Sequence, residues 1–304
     1  MFKKQSYKSV TWVDSESVNK EEARELMEEF ELSPEVAQDI LLPTFKDKIG
    51  LYKDYIYLVL HFPAFKHTHN KSHRQEIDFV IGKNFIITNR YEGIDAMEKY
   101  AKIFEVNSIL DKNDKEAGSG ELFLAIMKTI YQSLSDELDS INYLLREAEK
   151  NIFAGKEKDM VFELSKIGRE IINFNHIITP HGNILETLQE NSDQILGKHF
   201  SLELNQIINE FNKISKILEN VTEVLRELRE TNNSLLSTKQ NEIMKTLTIF
   251  TFFALPFGII TGFFQMNTIN TPIVSSEKGW FIIVGIEIIT LITVYLIAKR
   301  KKWF

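Results

Sequence analysis

Apolar residues recur along this chain in three rhythms, and each change of rhythm marks a new part. From Thr11 to about Leu110 the runs are short. TWVDS opens as a strand, while KEEARELMEEF and SPEVAQDILL carry the three-and-four spacing of short helices. The second has Ser33 as N-cap and Pro34 at the first helical position, where no amide hydrogen is needed. IGLYKD, YIYLVLHF, EIDFVIG and FIITNRY alternate or stay apolar over strand lengths, and Gly82-Lys83-Asn84 turns the third into the fourth. This predicts an α+β body with a mainly hairpin-connected sheet.

Asp111 to Gly120, DKNDKEAGSG, breaks the pattern and reads as a linker. Behind it the period becomes helical. Leu122 to Ile152 is one amphipathic helix and Met160 to about Leu188 a second, bent by Pro180 and Gly182 inside IITPHGNIL. A third starts near Lys198 and meets no proline or glycine until Pro256. In it Leu204, Ile207, Phe211, Ile214, Leu218, Val221, Leu225 and Leu228 step by three and four, a coiled-coil-like packing seam. The next residues, Thr231 to Asn241, bring many neutral hydrogen-bonding side chains, either a solvated surface or a hydrated vestibule.

The last rhythm is nearly unbroken apolarity. TLTIFTFFALPFGIITGFFQMN, Thr246 to Asn267, begins a stretch with no charged side chain before Glu277, and about 20 apolar residues suffice for a helix to cross a bilayer. Trp280 to Ala298 is long enough to cross back, with Lys299-Arg300-Lys301-Lys302 directly behind it. Basic flanks, including Lys245 ahead of the first span, place both termini in the cytoplasm and the Asn267 to Lys278 loop outside. The start, MFKKQSYKSVTWVDS, has no apolar core and does not read as a signal peptide. The lipid bilayer, at the plasma or inner membrane, is the first expected partner.

Within the first span, Asn241, Met244, Thr248, Thr251, Leu255, Gly258 and Gly262 fall on one small or polar stripe, while isoleucine and phenylalanine occupy the other faces. Such a stripe suits a tight helix contact or, repeated around an axis, the wall of a narrow wet path. Pro256 lacks an amide hydrogen and frees the carbonyl of Phe252. Glu287 stands near the middle of the second span, where a carboxylate costs several kcal/mol unless it is protonated, paired or wet.

Charge refines this picture. The 304 residues carry a formal charge of −7, but the part from Lys245 onward is net +4, leaving −11 on the rest. An acidic body argues against a nucleic-acid partner. The chain has no cysteine, which removes disulfides and thiolate metal sites. His67, His69 and His73 cluster in KHTHNKSHR as either a solvated loop or a weak transition-metal site. No phosphate-cradling glycine loop, nucleophile elbow or metalloprotease helix occurs, so neither an enzyme nor an organic cofactor is expected.

Several of these features together resemble one family. The QNEIMKTLTIF stretch ending a long helix, a proline inside the first span, a loop opening with Met-Asn, a second span and a terminal Lys-Arg-Lys-Lys-Trp-Phe look like the CorA family of divalent-cation channels. VAQDILLPTFKDKIGLYKDYIYLVLHF and QEIDFVIGKNFIITN are similar to its cytoplasmic domain, so the likeness covers nearly the whole chain. One departure stands out: the family's Gly-Met-Asn is here Gln265-Met266-Asn267. The resemblance implies a homopentamer passing Mg2+, with the first span around the pore and the second outside it. It implies that Asn267 side chains and Gln265 or Met266 carbonyls bind the hydrated ion. It also implies regulatory metal sites between cytoplasmic domains, for which Glu203 and Glu210 flank Gln206, where a carboxylate is wanted. A proline similar to Pro180 in the family's second helix implies one kinked helix.

The expected organisation is an α+β domain over 1–118, a helical pair over 119–197 and a stalk helix over 198–246 continuous with a first transmembrane helix, 247–266. An external loop, 267–278, a second span, 279–299, and a basic tail, 300–304, complete it. The leading reading is a divalent-cation channel for Mg2+. The alternatives are a Zn2+, Co2+ or Ni2+ transporter of the same fold and a non-conducting membrane-anchored scaffold or receptor.

Overall fold

Every residue of the strand YIYLVLHFP, Tyr55–Pro63, is buried, and the fold follows from covering both of its faces. The structure is a computed structural model describing residues 2–7, 9–64, 74–110, 118–266, 273 and 278–301, without the side chains of Tyr7 and residues 107–110. Its elements are β1 (Lys3–Tyr7), β2 (Val10–Glu16), α1 (Lys20–Glu29), α2 (Pro34–Asp39), β3 (Lys48–Leu51), β4 (Tyr55–Pro63), β5 (Arg74–Gly82) and β6 (Phe85–Arg90). There follow α3 (Asp95–Leu110), α4 (Ser119–Phe153), α5 (Glu157–Ile178), α6 (His181–Asn191), α7 (Asp193–Leu196), α8 (Lys198–Gln265) and α9 (Gly279–Arg300). They fall into two compact units, Met1–Arg229 and Glu230–Phe304.

In the first unit six strands form one sheet in the order β1-β2-β6-β5-β4-β3, antiparallel throughout except for the β2–β6 pair. Because side chains alternate across a strand, Tyr55, Tyr57 and Val59 join Val80, Ile87 and the apolar sides of α1 and α2 in one core. The intervening residues point the other way. Trp12 packs on Phe104 of α3, Phe79 on Phe123 of α4, and Phe62 on the His181 ring of α6. Coverage on both sides explains why β4 reads as a continuous apolar run. Each large side chain so buried contributes roughly 1.5–3 kcal/mol.

Helix starts follow their local chemistry. Asn19 accepts from the amides of Glu21 and Glu22 while Glu22 accepts from the Asn19 amide, a reciprocal cap on α1. Ser33 caps α2 through the Val36 amide, as its sequence predicts. α4 begins at Ser119, inside the expected linker, because Ser119 Oγ donates to the carbonyls of Gly82 and Lys83 and so pins the helix start to the β5–β6 turn.

The seam of α8 packs inside this unit. Leu204, Ile207, Ile214, Leu218, Val221, Leu225 and Leu228 are buried and Phe211 is half-buried. Gly168 of α5 and Gly182 of α6 sit so close to α8 that a Cβ would meet Leu225 at 3.1 Å and Phe211 at 3.3 Å. The single kinked helix expected around Pro180 is instead two helices, α5 and α6. Thr179 and Pro180 keep right-handed helical dihedrals, but the proline has no amide hydrogen to continue the ladder, so the hydrogen bonding breaks there. β1, α3 and α7 have no counterpart in the sequence expectations.

Candidate functional site

In the second unit α8 runs on through Pro256 to Gln265, and α8 and α9 are the helices long and apolar enough to cross a membrane among the described residues. Residues Ile249, Phe252, Phe253, Pro256, Phe257, Ile260 and Phe264 of α8 are half-buried. On α9 the covered positions are Gly279, the run from Ile283 to Glu287, Thr290, Val294 and Ala298. These faces meet each other.

Asn241, Met244, Thr248, Thr251, Leu255, Gly258 and Gly262 are all exposed and lie on the other side of α8, about 150° round from the covered face at 3.6 residues per turn. A Cβ added at Gly258 or Gly262 meets nothing within 4 Å. The chain therefore leaves its small-residue stripe open and packs α9 with bulkier side chains. Thr248 Oγ1 donates to the Met244 carbonyl at 2.7 Å and Thr251 Oγ1 to the Leu247 carbonyl at 2.9 Å. With their hydrogens committed, both hydroxyls present only lone pairs outward, a surface that accepts hydrogen bonds from a cation's water shell. Gln265 closes α8 and Met266 is exposed beyond it. Asn267 lies outside the described residues.

Glu287 occupies the covered face of α9, where its Oε1 is 3.1 Å from Thr261 Oγ1 of α8. Thr261 has one hydroxyl hydrogen, and its carbonyl partner, Phe257, is nearer at 2.6 Å.

Glu203 Oε1 lies 3.2 Å from His199 Nε2, while Glu210 is half-buried two turns further along α8, outside that group. A third carboxylate, Glu121 of α4, joins Glu203 and His199. His67, His69 and His73 fall outside the described residues.

A buried polar network in the first unit is absent from the sequence reading. His61 of β4 places Nδ1 2.6 Å from Asp47 Oδ1, and Nε2 3.0 Å from Glu76 Oε2 and 3.1 Å from the Thr44 carbonyl. All these partners only accept, so both ring nitrogens donate and the ring is an imidazolium. Burial opposes that charge, but the bonds to Asp47 and Glu76 and the Asp47 charge prevail and hold the pKa near 9. The ring ties the segment before β3 to the sheet. Next to Glu76 on the same face, Asp78 has its pKa raised, first by burial and further by the Glu76 charge, against the hydrogen bonds from Asn89 and Tyr91. The available signal was the alternation of Glu76 and Asp78 in an otherwise apolar strand, opposite the lone histidine of β4.

Residues 7–301 match the family described as CorA-like Mg2+ transporter protein, and the chain belongs to that family. The cobalt/magnesium transport protein CorA of Thermotoga maritima is 20% identical over 295 residues, 96% of this chain and 83% of that protein. The complete structure of the CorA magnesium transporter from Methanocaldococcus jannaschii matches with a TM-score of 0.83 at 20% identity, covering 99% of this chain and 94% of that one. The ZntB cytoplasmic domain from Vibrio parahaemolyticus matches with a TM-score of 0.61 at 15% identity, covering 77% and 89%. These structural likenesses bear out the fold: an α/β domain, a long helix and a final apolar helix. The protein is a membrane transporter of divalent metal cations and not an enzyme, which sets aside the non-conducting scaffold.

Proposed function

We propose that this chain passes hydrated Mg2+ into the cytoplasm down its electrochemical gradient, as one of five identical subunits arranged around an axis. The observation that carries this reading is the open stripe of α8, with small residues and lone-pair-only hydroxyls turned away from α9. Mg2+ sheds its water reluctantly and is therefore best met by oxygen acceptors that contact the shell. The stripe fits that demand once several copies surround it. Uncharged oxygens also release the ion, which conduction requires. In this arrangement Gln265, Met266 and Asn267 stand at the entrance, and the amide of Gln265 adds a further polar group where the family has glycine. Both termini lie inside, with the basic residues after α9 holding the C-terminal end at the cytoplasmic face. Glu203 and Glu210 remain the stalk carboxylates for cytoplasmic metal regulation.

Transition-metal transport is the second reading, supported by the Thermotoga maritima relative, which is a cobalt/magnesium transport protein. It fits the stripe less well, since no imidazole or thiolate lies among its residues. The test is uptake into vesicles holding the purified protein, with Mg2+, Zn2+, Co2+ and Ni2+ in parallel. Mg2+ uptake that Asn267→Ala abolishes is the expected result. Undiminished Mg2+ uptake by that variant removes the entrance assignment, and uptake confined to the other ions overturns the choice of Mg2+.

A further inference from the structure

We propose that Glu121, His199 and Glu203 form a site for a borderline divalent cation such as Zn2+, Co2+ or Ni2+ that clamps the first turn of α4 to the first turns of α8. The site lies wholly within one chain and does not depend on what the membrane helices conduct.

One ligand atom from each of the three side chains lies within 4.8 Å of the other two. Ligand bonds of about 2.0–2.2 Å put two ligand atoms at most roughly 4.3 Å apart, and about 3.4 Å apart in a tetrahedron. His199 Nε2 and Glu203 Oε1 already stand at 3.2 Å, inside that limit, and the Glu121 oxygen is at most about 0.5 Å beyond it.

The site is built on fixed backbone. His199 and Glu203 share one face of α8 because they are four residues apart. The two helix starts meet where Gly120 faces Phe200: a Cβ on the glycine would lie 2.6 Å from Phe200 Cδ2, and Phe200 is buried. Ser119 anchors α4 to the β5–β6 turn, and Ser201 Oγ donates to Asp193 Oδ1 at 2.5 Å across the corner leading into α8. Glu121, His199 and Glu203 are thus carried by two helices whose separation is already set.

Each pairwise explanation leaves something over. An i,i+4 ion pair accounts for His199 and Glu203, and an acidic residue in a first helical turn accounts for Glu121. Neither accounts for two carboxylates from different helices converging on one imidazole, an arrangement whose like charges favour a bound cation. The imidazole sets the class of ion. Mg2+ takes oxygen ligands and keeps water, whereas nitrogen with carboxylate oxygen suits Zn2+, Co2+ and Ni2+. A metal here fastens the root of the helix that bears the stripe.

The test uses the full-length chain in detergent, stripped with chelator and titrated with Co2+ as a visible probe. One equivalent is expected to give a ligand-field band that Zn2+ displaces and equimolar Mg2+ leaves intact. His199→Gln should lose that band. Glu121→Gln should bind at least the roughly 10-fold more weakly that even an outer partner of a metal ligand is worth. Zn2+ should raise the unfolding temperature of the wild type and leave that of His199→Gln unmoved. The His199 side chain is 74% exposed, so its replacement leaves the fold intact. The proposal is overturned if both variants keep the wild-type band and affinity, or if Mg2+ displaces Co2+. Vesicle uptake by the same variants reports on transport separately, so loss of the band and loss of conduction are read apart.

Discussion

His181 on α6 donates through Nε2 to the backbone carbonyl of His61 on β4, 2.8 Å away, and the two rings hold opposite protonation states. Since the carbonyl only accepts, the His181 Nε2 carries the hydrogen and Nδ1 accepts from the Tyr131 hydroxyl at 3.0 Å. Complete burial drives the pKa of His181 down to about 4, while carboxylate partners hold that of His61 up at about 9. One histidine is charged at neutral pH and its neighbour is neutral.

Opposite shifts give stability two pH legs. The raised pKa of His61 contributes stabilisation that is complete below its unfolded value of 6.5 and is lost as pH rises through about 9. The lowered pKa of His181 contributes stabilisation that is complete above 6.5 and is lost as pH falls through about 4. Each leg is on the order of 3 kcal/mol. Thermal unfolding should show stability falling as pH rises from 6.5 through about 9, while on the acid side the His181 leg is opposed by Asp78, whose raised pKa gives stabilisation that is lost as pH rises. Glu76→Gln should flatten the alkaline side. An alkaline slope unchanged in that variant would show that the imidazolium is not what the sheet loses.

Thr261 and Glu287 make a second measurable pair. Thr261 Oγ1 stands within hydrogen-bond distance of both the Phe257 carbonyl and Glu287 Oε1, and an amide at position 287 can pair with the same hydroxyl. Glu287→Gln should keep Mg2+ uptake within about three-fold, since a bond between membrane helices is worth only about 0.6 kcal/mol. A lysine at the helix centre itself costs about 2.5–3.5 kcal/mol of insertion free energy and cannot accept from Thr261, so Glu287→Lys should lower the amount of protein in the membrane. A Gln variant that inserts normally but does not transport would assign Glu287 to the ion path.

Gly258 and Gly262 separate folding from conduction. Among the described residues nothing stands within 4 Å of a Cβ at either position, so Gly258→Leu and Gly262→Leu should insert and unfold like the wild type. In the assembled transporter the added side chains should obstruct the axis and block uptake. Free uptake by both variants would move the stripe away from the ion path.

Much of the fold is legible in local rhythm. Period two in EIDFVIG and FIITNRY, steps of three and four from Leu204 to Leu228, and the apolar span before Gln265 each report a repeated burial on one side of the backbone. The elements missed are weaker in this respect: α3 does carry Met97, Tyr100, Ala101 and Phe104 at helical spacing, an overlooked repeat, while β1 has none. KKQSY is a polar edge strand held by pairing with β2, and the apolar residues of α3 owe their order to Trp12. Pro180 was readable as a bend but not as a break, because proline removes one amide hydrogen while leaving helical dihedrals accessible.

From the sequence alone one learns that the chain has two spans, a long helix leading into the first, and a small polar stripe along it. The stripe follows from a spacing of three and four within one helix and needs no other element. Which side of that helix faces α9, that Glu287 meets Thr261, and that Glu121 joins His199 and Glu203 are matters only the tertiary structure decides. Periodicity records neighbours along the chain, and these groups become neighbours only when distant segments pack against one another.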